Sequence, residues 1–287
     1  MTVDTTLAAI GAMGRSLGPE VLGACRALYH DEQTSLMVDL PVSAPDAAYG
    51  PHDRHRLDLY SRGATDGLRP VLLFVHGGGF LAGDKGGNTA WPNASVGRMA
   101  ARRGLLGAVM NYRLAPEATW PAGGEDVLAA LDWLREHAAE HGGDPDRIIL
   151  MGTSAGAVHV ATALQLRPKL PARGLILLSG LFGYTDPDPR DLLYYGEAAL
   201  YPDRAPREAV ASTHLPLLVA TAQHDPERFQ TEFARLLAAR LDRHTDLPQL
   251  HYGNGHNHYT LAMHLGTRDT ALADAIAAFV GRCCANA

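Results

Sequence analysis

The sequence predicts an α/β fold: a mostly parallel central sheet with helices on both faces and a small cap or lid. Three observations carry this expectation. Strand-like apolar runs alternate with helix-like stretches along most of the chain. Several of those runs, VLLFV (71–75) foremost, are continuously apolar, as in strands covered on both faces. No internal repeat, low-complexity tract or linker interrupts the 287 residues, a length that suits one large domain, so a single domain over 1–287 is expected.

The elements follow in order. Residues 1–45 are Ala-rich and partly helix-leaning, then broken by Pro41 and Pro45. HRLDLYS (55–61) alternates Leu57 and Leu59 with Asp58 and Tyr60, as a half-buried strand does. RGATDGLRP is turn chemistry, and VLLFV is the next strand. NASVGRMAARRG (93–104) reads as a helix ending at Gly104, and LLGAVMNY (105–112) as a strand. The clearest helix is 121–143, where Val127, Leu131, Leu134 and Ala138 form one stripe and Gly142 and Gly143 close it. RIILMG (147–152) is a strand, 155–166 a helix, and RGLILLSG (173–180) and LPLLVATA (215–222) strands. A helix over 227–241, a short strand LPQLHYG (247–253) and a closing helix over 271–283 complete the series. The segment 181–213 is long and rich in Pro and Tyr; with 1–45 it is read as a lid over the carboxyl end of the sheet, where such folds place their ligands.

Composition narrows the function. A formal net charge of −6 gives no basic footprint for nucleic acid. No apolar run approaches the ~18 residues of a membrane span, and the N-terminus lacks the basic start and long apolar stretch of a signal peptide. The three cysteines, Cys25, Cys283 and Cys284, form no disulfide or catalytic pattern, so a reduced, cytoplasmic protein is expected.

Two glycine-rich stretches carry chemistry. MGTSAGA (151–157) contains G-x-S-x-G between a predicted strand and a predicted helix. A serine there stands on a tight turn with its hydroxyl projecting from the sheet, and small residues two before and two after allow the bend. The plain alternative is a βα turn with a capping serine. HGGGF (76–80) follows the strand VLLFV. Acyl transfer puts negative charge on a carbonyl oxygen; unobstructed backbone N–H groups hold it, and losing one such donor costs about 3 kcal/mol. Gly78 and Gly79 are the expected donors, with Ala155 the third from the start of its helix. A phosphate loop is the competing reading, but the stretch matches neither G-x-x-x-x-G-K-[ST] nor G-x-G-x-x-G. His76 is read as a brace for the loop.

An activated serine needs a base, and the base an orienting acid. Asp225 sits at the exit of LLVATA, with Glu227 as rival and helix capping as the competing role. HYGNGHNHYT (251–260) offers His251, within the strand, and His256 and His258, in the following loop; the residues favour His258, followed by an aromatic, with His256 second. An H-x-H metal site joined by His264 is the competing reading; no carboxylate or cysteine lies between 247 and 268 to support it.

With these residues in view, HGGGF, NYRLAPEATWPAGGEDVLAALDWL, DPDRIILMGTSAGA and LLVATAQHDPE together resemble the α/β-hydrolase fold, in its HGGG-bearing branch of hormone-sensitive-lipase-like carboxylesterases. YGPHDRHRLDLY (49–60) and NHYT (257–260) are similar to arylformamidase and esterase relatives in that branch, in which the catalytic histidine precedes an aromatic residue. The sequence departs from the common GDSAGG and H-G-F forms at Thr153, Ala157 and GHNHYT. The resemblance implies a serine hydrolase without a cofactor or metal, with Tyr112, Arg113 and Asp126 as bracing groups, and homodimers are common in the branch. The expected activity is that of a carboxylesterase acting through an acyl-enzyme on a small-molecule ester, with Ser154 as nucleophile, His258 as base and Asp225 as its partner. An amide or formamide hydrolase with the same triad is the alternative, and a non-catalytic binding module the remote one. Tyr184, Tyr194, Tyr195 and Tyr201 are expected either to line a pocket or simply to pack, and Gly86, Gly87 and Trp91 to border the entrance.

Overall fold

The computed structural model describes residues 1–63, 67–183 and 187–285. Its eight strands form one sheet in the order β1-β2-β4-β3-β5-β6-β7-β8. They are β1 (Ala44–Ala48), β2 (Arg56–Tyr60), β3 (Arg69–Val75), β4 (Leu106–Met110), β5 (Gly143–Thr153), β6 (Gly174–Leu178), β7 (Leu217–His224) and β8 (Gln249–Asn257). β1–β2 and β2–β4 pair antiparallel; every later neighbour pairs parallel. The helices are α1 (Val3–Met13), α2 (Pro19–Asp39), α3 (Ala94–Arg102), α4 (Ala122–His137), α5 (Ala155–Leu166), α6 (Leu192–Tyr195), α7 (Tyr201–Arg204), α8 (Arg207–Ser212), α9 (Glu227–His244), α10 (Thr260–Met263) and α11 (Ala271–Cys284).

The pleat explains why the central strands are apolar throughout. Val71, Leu73 and Val75 of β3 join a core with Val127 and Leu131 of α4, Val160 and Leu164 of α5, Val210 of α8 and Leu236 of α9. Leu72 and Phe74 point the other way, into a core with Leu36 of α2, Val96 and Met99 of α3, and Ile276 and Phe279 of α11. Each fully buried large apolar side chain contributes about 1.5–3 kcal/mol, so both faces of the strand stabilise the sheet.

Two elements differ from the sequence expectation. β1 lies where a broken stretch was expected; Pro45 is tolerated because β1 is an edge strand, and its register with β2 shifts between Ala44 and Ala47. β8 runs on to Asn257, so His256 ends a strand instead of lying in a loop. The RGATDGLRP turn falls partly outside the described residues, as does Tyr184.

α1 and α2 pack around the carboxyl ends of β7 and β8. Leu7 of α1 lies where a side chain on Gly255 would extend. The Gly18 N–H donates to the Tyr259 hydroxyl at 3.0 Å, and the Gln33 amide donates to the carbonyls of Met263 (2.7 Å) and Leu265 (3.0 Å). Segment 181–213 contributes α6, α7 and α8. Its Tyr194, Tyr195 and Tyr201 are buried against Phe80, Val158 and Phe229, so these rings pack. Trp91 does not border an entrance: it is buried in a cluster with Ile10 and Tyr29.

Candidate active site

Ser154 joins β5 to α5 with φ 54° and ψ −123°, a conformation L-residues adopt at a cost of about 1–2 kcal/mol. The glycines beside it are there for space. A Cβ on Gly156 would sit 2.0 Å from the Val75 carbonyl oxygen, and one on Gly152 would sit 2.4 Å from the Gly156 carbonyl carbon. The turn therefore closes only with hydrogen at both positions, and it leaves the Ser154 hydroxyl standing at the carboxyl end of the central strand.

That hydroxyl meets an imidazole. His258 Nε2 lies 3.0 Å from Ser154 Oγ, and His258 Nδ1 lies 2.8 Å from Asp225 Oδ1. A carboxylate only accepts, so Nδ1 carries the proton and Nε2 is left to receive the serine hydroxyl's hydrogen. Asp225 is fully buried and its second oxygen is saturated. Oδ2 accepts from Ser179 Oγ (2.6 Å), Thr221 Oγ1 (2.7 Å) and the Ala222 N–H (2.7 Å). Burial alone would raise this carboxyl; the hydrogen bond and charge of His258 and the bonds from Ser179 and Ala222 outweigh it and hold Asp225 below the usual carboxylate range. Asp225 does not cap α9, whose N-cap is Pro226 with no side-chain bond, and Glu227 is exposed.

The loop carrying His258 is fixed from several sides. Asn257 Oδ1 accepts from the N–H groups of Tyr259 (3.1 Å) and Thr260 (3.0 Å), while Phe229 packs on the His258 ring with centroids 4.2 Å apart. His256 turns elsewhere: its Nε2 faces Asp269 Oδ2 at 3.2 Å and its Nδ1 faces Thr260 Oγ1 at 3.2 Å. His251 lies within β8.

The glycine loop passes directly beside the serine. A Cβ on Gly77 would lie 3.1 Å from that of Ser154. Gly78 (φ 139°) and Gly79 (φ 59°) adopt backbone conformations closed to ordinary side chains, and a Cβ on Gly78 would stand 1.8 Å from the Ala82 carbonyl oxygen. Among the described residues, no acceptor pairs with the Gly78 or Gly79 N–H. Ala155 opens α5, where the helix dipole favours an anion. His76 braces this loop: it is fully buried, its Nδ1 donates to the Gly77 carbonyl at 2.7 Å, and its ring stacks on Tyr112 at 4.4 Å. Burial pushes its pKa down to about 4. The Tyr112 hydroxyl donates to the His76 carbonyl at 3.0 Å. Arg113 donates to buried Asp126, through its backbone N–H at 2.7 Å and its Nε at 2.8 Å, and His55 meets the same carboxylate at 3.1 Å.

Several supporting residues escaped the sequence reading. Ser179 and Thr221 hold Asp225, yet each looks like an ordinary polar residue in or after an apolar strand. Lys85 is bonded to Asp58 at 2.8 Å and Asp46 at 2.9 Å, tying the segment after HGGGF to β2 and β1. Only the unusual Lys in GDKGG signalled it. A surface cleft lined by His52, Arg54, Arg113 and Glu125 includes none of Ser154, Asp225 and His258, and it is the geometry of those three, not concavity, that marks the site.

Comparison with known proteins agrees with this architecture. The chain is 40% identical over 126 residues to a probable isoprenylcysteine alpha-carbonyl methylesterase of Oryza sativa subsp. japonica, a match covering 44% of this chain and 28% of that protein. It is 39% identical over 129 residues to the probable carboxylic ester hydrolase LipM of Mycobacterium tuberculosis, covering 44% and 29% respectively. It is 44% identical over 97 residues to the M. tuberculosis carboxylesterase NlhH, covering 34% and 29%. The matched stretch is thus less than a third of each of these relatives. Among solved structures, a hyperthermophilic esterase of Pyrobaculum calidifontis superposes with TM-score 0.69 at 22% identity, covering 92% of this chain and 96% of that one. A thermostable esterase of Pseudomonas putida superposes with TM-score 0.66 at 19% identity, covering 97% and 94%, and likenesses at such identity speak for the fold. A family profile described as alpha/beta hydrolase fold matches residues 72–262, from β3 through the His258 loop, and the chain belongs to that family.

Proposed function

We propose that this protein is a serine carboxylic ester hydrolase. The observation that carries the reading is the continuous hydrogen-bonded series Ser154 Oγ, His258, Asp225 beside a glycine loop with unpaired amides. His258 removes the hydroxyl proton as Ser154 Oγ attacks the ester carbonyl. The Gly78, Gly79 and Ala155 N–H groups hold the resulting oxyanion. His258 then protonates the departing alkoxide, leaving an acyl group on Ser154. Water, deprotonated by the same imidazole, attacks the acyl carbonyl and frees the acid. Asp225 keeps Nδ1 protonated and stabilises the imidazolium without itself taking a proton.

An ester is favoured over an amide or formamide because the curated relatives carry carboxylesterase, methylesterase and ester-hydrolase names. α1, α2 and the 181–213 segment act as the lid of a single domain; supporting this, α1 and α2 pack at the carboxyl ends of β7 and β8, and Tyr194, Tyr195 and Tyr201 pack against Phe80, Val158 and Phe229. No described helix is long and apolar enough to cross a membrane, and the three cysteines are free; a cytoplasmic enzyme follows as the reading. Ser154→Ala should abolish turnover of short p-nitrophenyl esters and labelling by a fluorophosphonate. Parent-level turnover in that variant would reject the mechanism, and a higher rate on an N-formyl aryl amide than on the matching aryl ester would reject the substrate class.

A further inference from the structure

The carboxylate that 247–268 lacks stands at the next position. Asp269 joins His256 and His264 in a cluster whose ligand atoms lie within 4.8 Å of one another. We propose that His256, His264 and Asp269 form a structural site for one divalent transition-metal ion of the zinc type, separate from the ester-cleaving residues.

The state of His264 points to a ligand. Its Nδ1 donates to the Thr260 carbonyl at 2.8 Å, which leaves Nε2 as a bare lone pair. That nitrogen is buried and, among the described residues, has no hydrogen-bond partner, on a side chain only 1% exposed. Buried acceptors are rarely left so. A histidine that binds metal through one nitrogen while the other donates to a backbone carbonyl is the usual arrangement at such sites. Thr260 serves His256 too, its Oγ1 lying 3.2 Å from His256 Nδ1 and leaving Nε2 toward Asp269.

The distances suit the ion. Zinc bonds of about 2.0–2.2 Å in a tetrahedron place donors about 3.3 Å apart. His256 Nε2 and Asp269 Oδ2 are already 3.2 Å apart, and the two imidazoles are stacked, with centroids 4.1 Å and planes 23° apart, so that a shared ion requires them to splay. Bringing in His264 Nε2, which lies within 4.8 Å of the other two atoms, to the tetrahedral spacing takes a closure of up to about 1.5 Å, and two imidazoles with one carboxylate is a donor set suited to zinc. The ion would clamp the end of β8 to the approach of α11.

The test uses the full chain after treatment with a chelator. Calorimetric titration with Zn²⁺ should give one ion per chain, and Co²⁺ should produce the visible bands of a tetrahedral site. H264Q and D269N should each weaken Zn²⁺ binding at least tenfold, while H137A, at a half-buried histidine on α4 outside the cluster, should not. Absence of binding, or binding that H264Q and D269N leave untouched, overturns the proposal. Because replacing a buried histidine can unfold the chain, imidazole NMR of the parent protein is read in parallel. Substoichiometric Zn²⁺ must move the His256 and His264 signals first among the 14 histidines, and movement of others first equally overturns it. None of these readouts depends on ester hydrolysis, so failure of the metal site and failure of the esterase reading are distinguishable.

Discussion

Ser179→Ala separates support of a catalytic charge from participation in the reaction. Ser179 is 3% exposed and its hydroxyl donates to Asp225 Oδ2 at 2.6 Å. A hydrogen bond to a charged group contributes about 1.5–3 kcal/mol. Thr221 and the Ala222 N–H still hold the same oxygen after the change, so the loss should fall toward the lower value, about 1.5 kcal/mol. Asp225 is ionised both before and during the chemical step, so an interaction that merely holds its charge stabilises ground and transition states alike. The variant should therefore lose stability, seen as a lower urea midpoint at pH 7, while kcat/KM on p-nitrophenyl acetate falls less than about tenfold, which is ~1.4 kcal/mol. The sign with pH is set by the depressed carboxyl of Asp225. The stabilisation is fully present above the unfolded carboxylate pKa and is lost as pH falls through the lower folded value, so the two midpoints should converge in acid. Ser179 also sits at φ 45°, and Ser179→Gly should recover about 1 kcal/mol of backbone strain relative to the alanine variant. An unchanged midpoint together with a collapse of kcat/KM by three orders of magnitude would refute this reasoning and make the Ser179 hydroxyl a participant.

Further outcomes follow from other contacts. Gly78→Ala places a methyl 1.8 Å from the Ala82 carbonyl oxygen at φ 139°, so the loop must move; with an oxyanion donor displaced, kcat should drop about 10²–10³-fold, checked by steady-state kinetics beside a circular-dichroism spectrum. Asp126→Asn removes the buried charge shared by His55 and Arg113; Arg113 is partly exposed and keeps its pair with Glu125, so the cost should stay below the about 3–5 kcal/mol of a stranded buried charge, read from the urea midpoint. Burial lowers His159 to about 3 and His76 to about 4, against an ordinary value near 6.5. Between those limits the unfolded chain binds protons that the folded chain refuses, so stability rises with pH across this window and is lost on acidification. The two residues should contribute up to ~2.7 kcal/mol per pH unit between about pH 6 and 4, measured by urea unfolding at a series of pH values.

The central strands were legible because parallel strands covered on both faces carry their own signature: VLLFV, RIILMG and LLVATA need no partner to be recognised. The elbow was legible for a different reason, since only small residues fit at 152 and 156. β1 was not: APDAA has little apolar content, contains proline and exists through pairing with β2 on the sheet edge. The full length of β8 was hidden by GNGHN, a polar stretch held in extended form by β7 and α1. Chain order drew attention to Asp225 and His258, whereas the residues that surround Asp225 come from three separate places along the chain. Asp269 shows the same limit. The sequence separates it from His256 by thirteen positions, and the turn after α10 erases that distance.

The seating of the first two helices on the last strand has a consequence for biosynthesis. Gly18, Cys25 and Gln33 find their partners at Tyr259, Asn257 and Leu265, more than two hundred residues later. During translation α1 and α2 emerge more than two hundred residues ahead of these partners, and their inner faces stay uncovered until β8 and α10 follow. The His258 imidazole proposed as the base arrives in that same stretch. A nascent chain is thus unshielded at these helices until the His258 segment has been made, so that completion of this packing and delivery of the proposed base coincide.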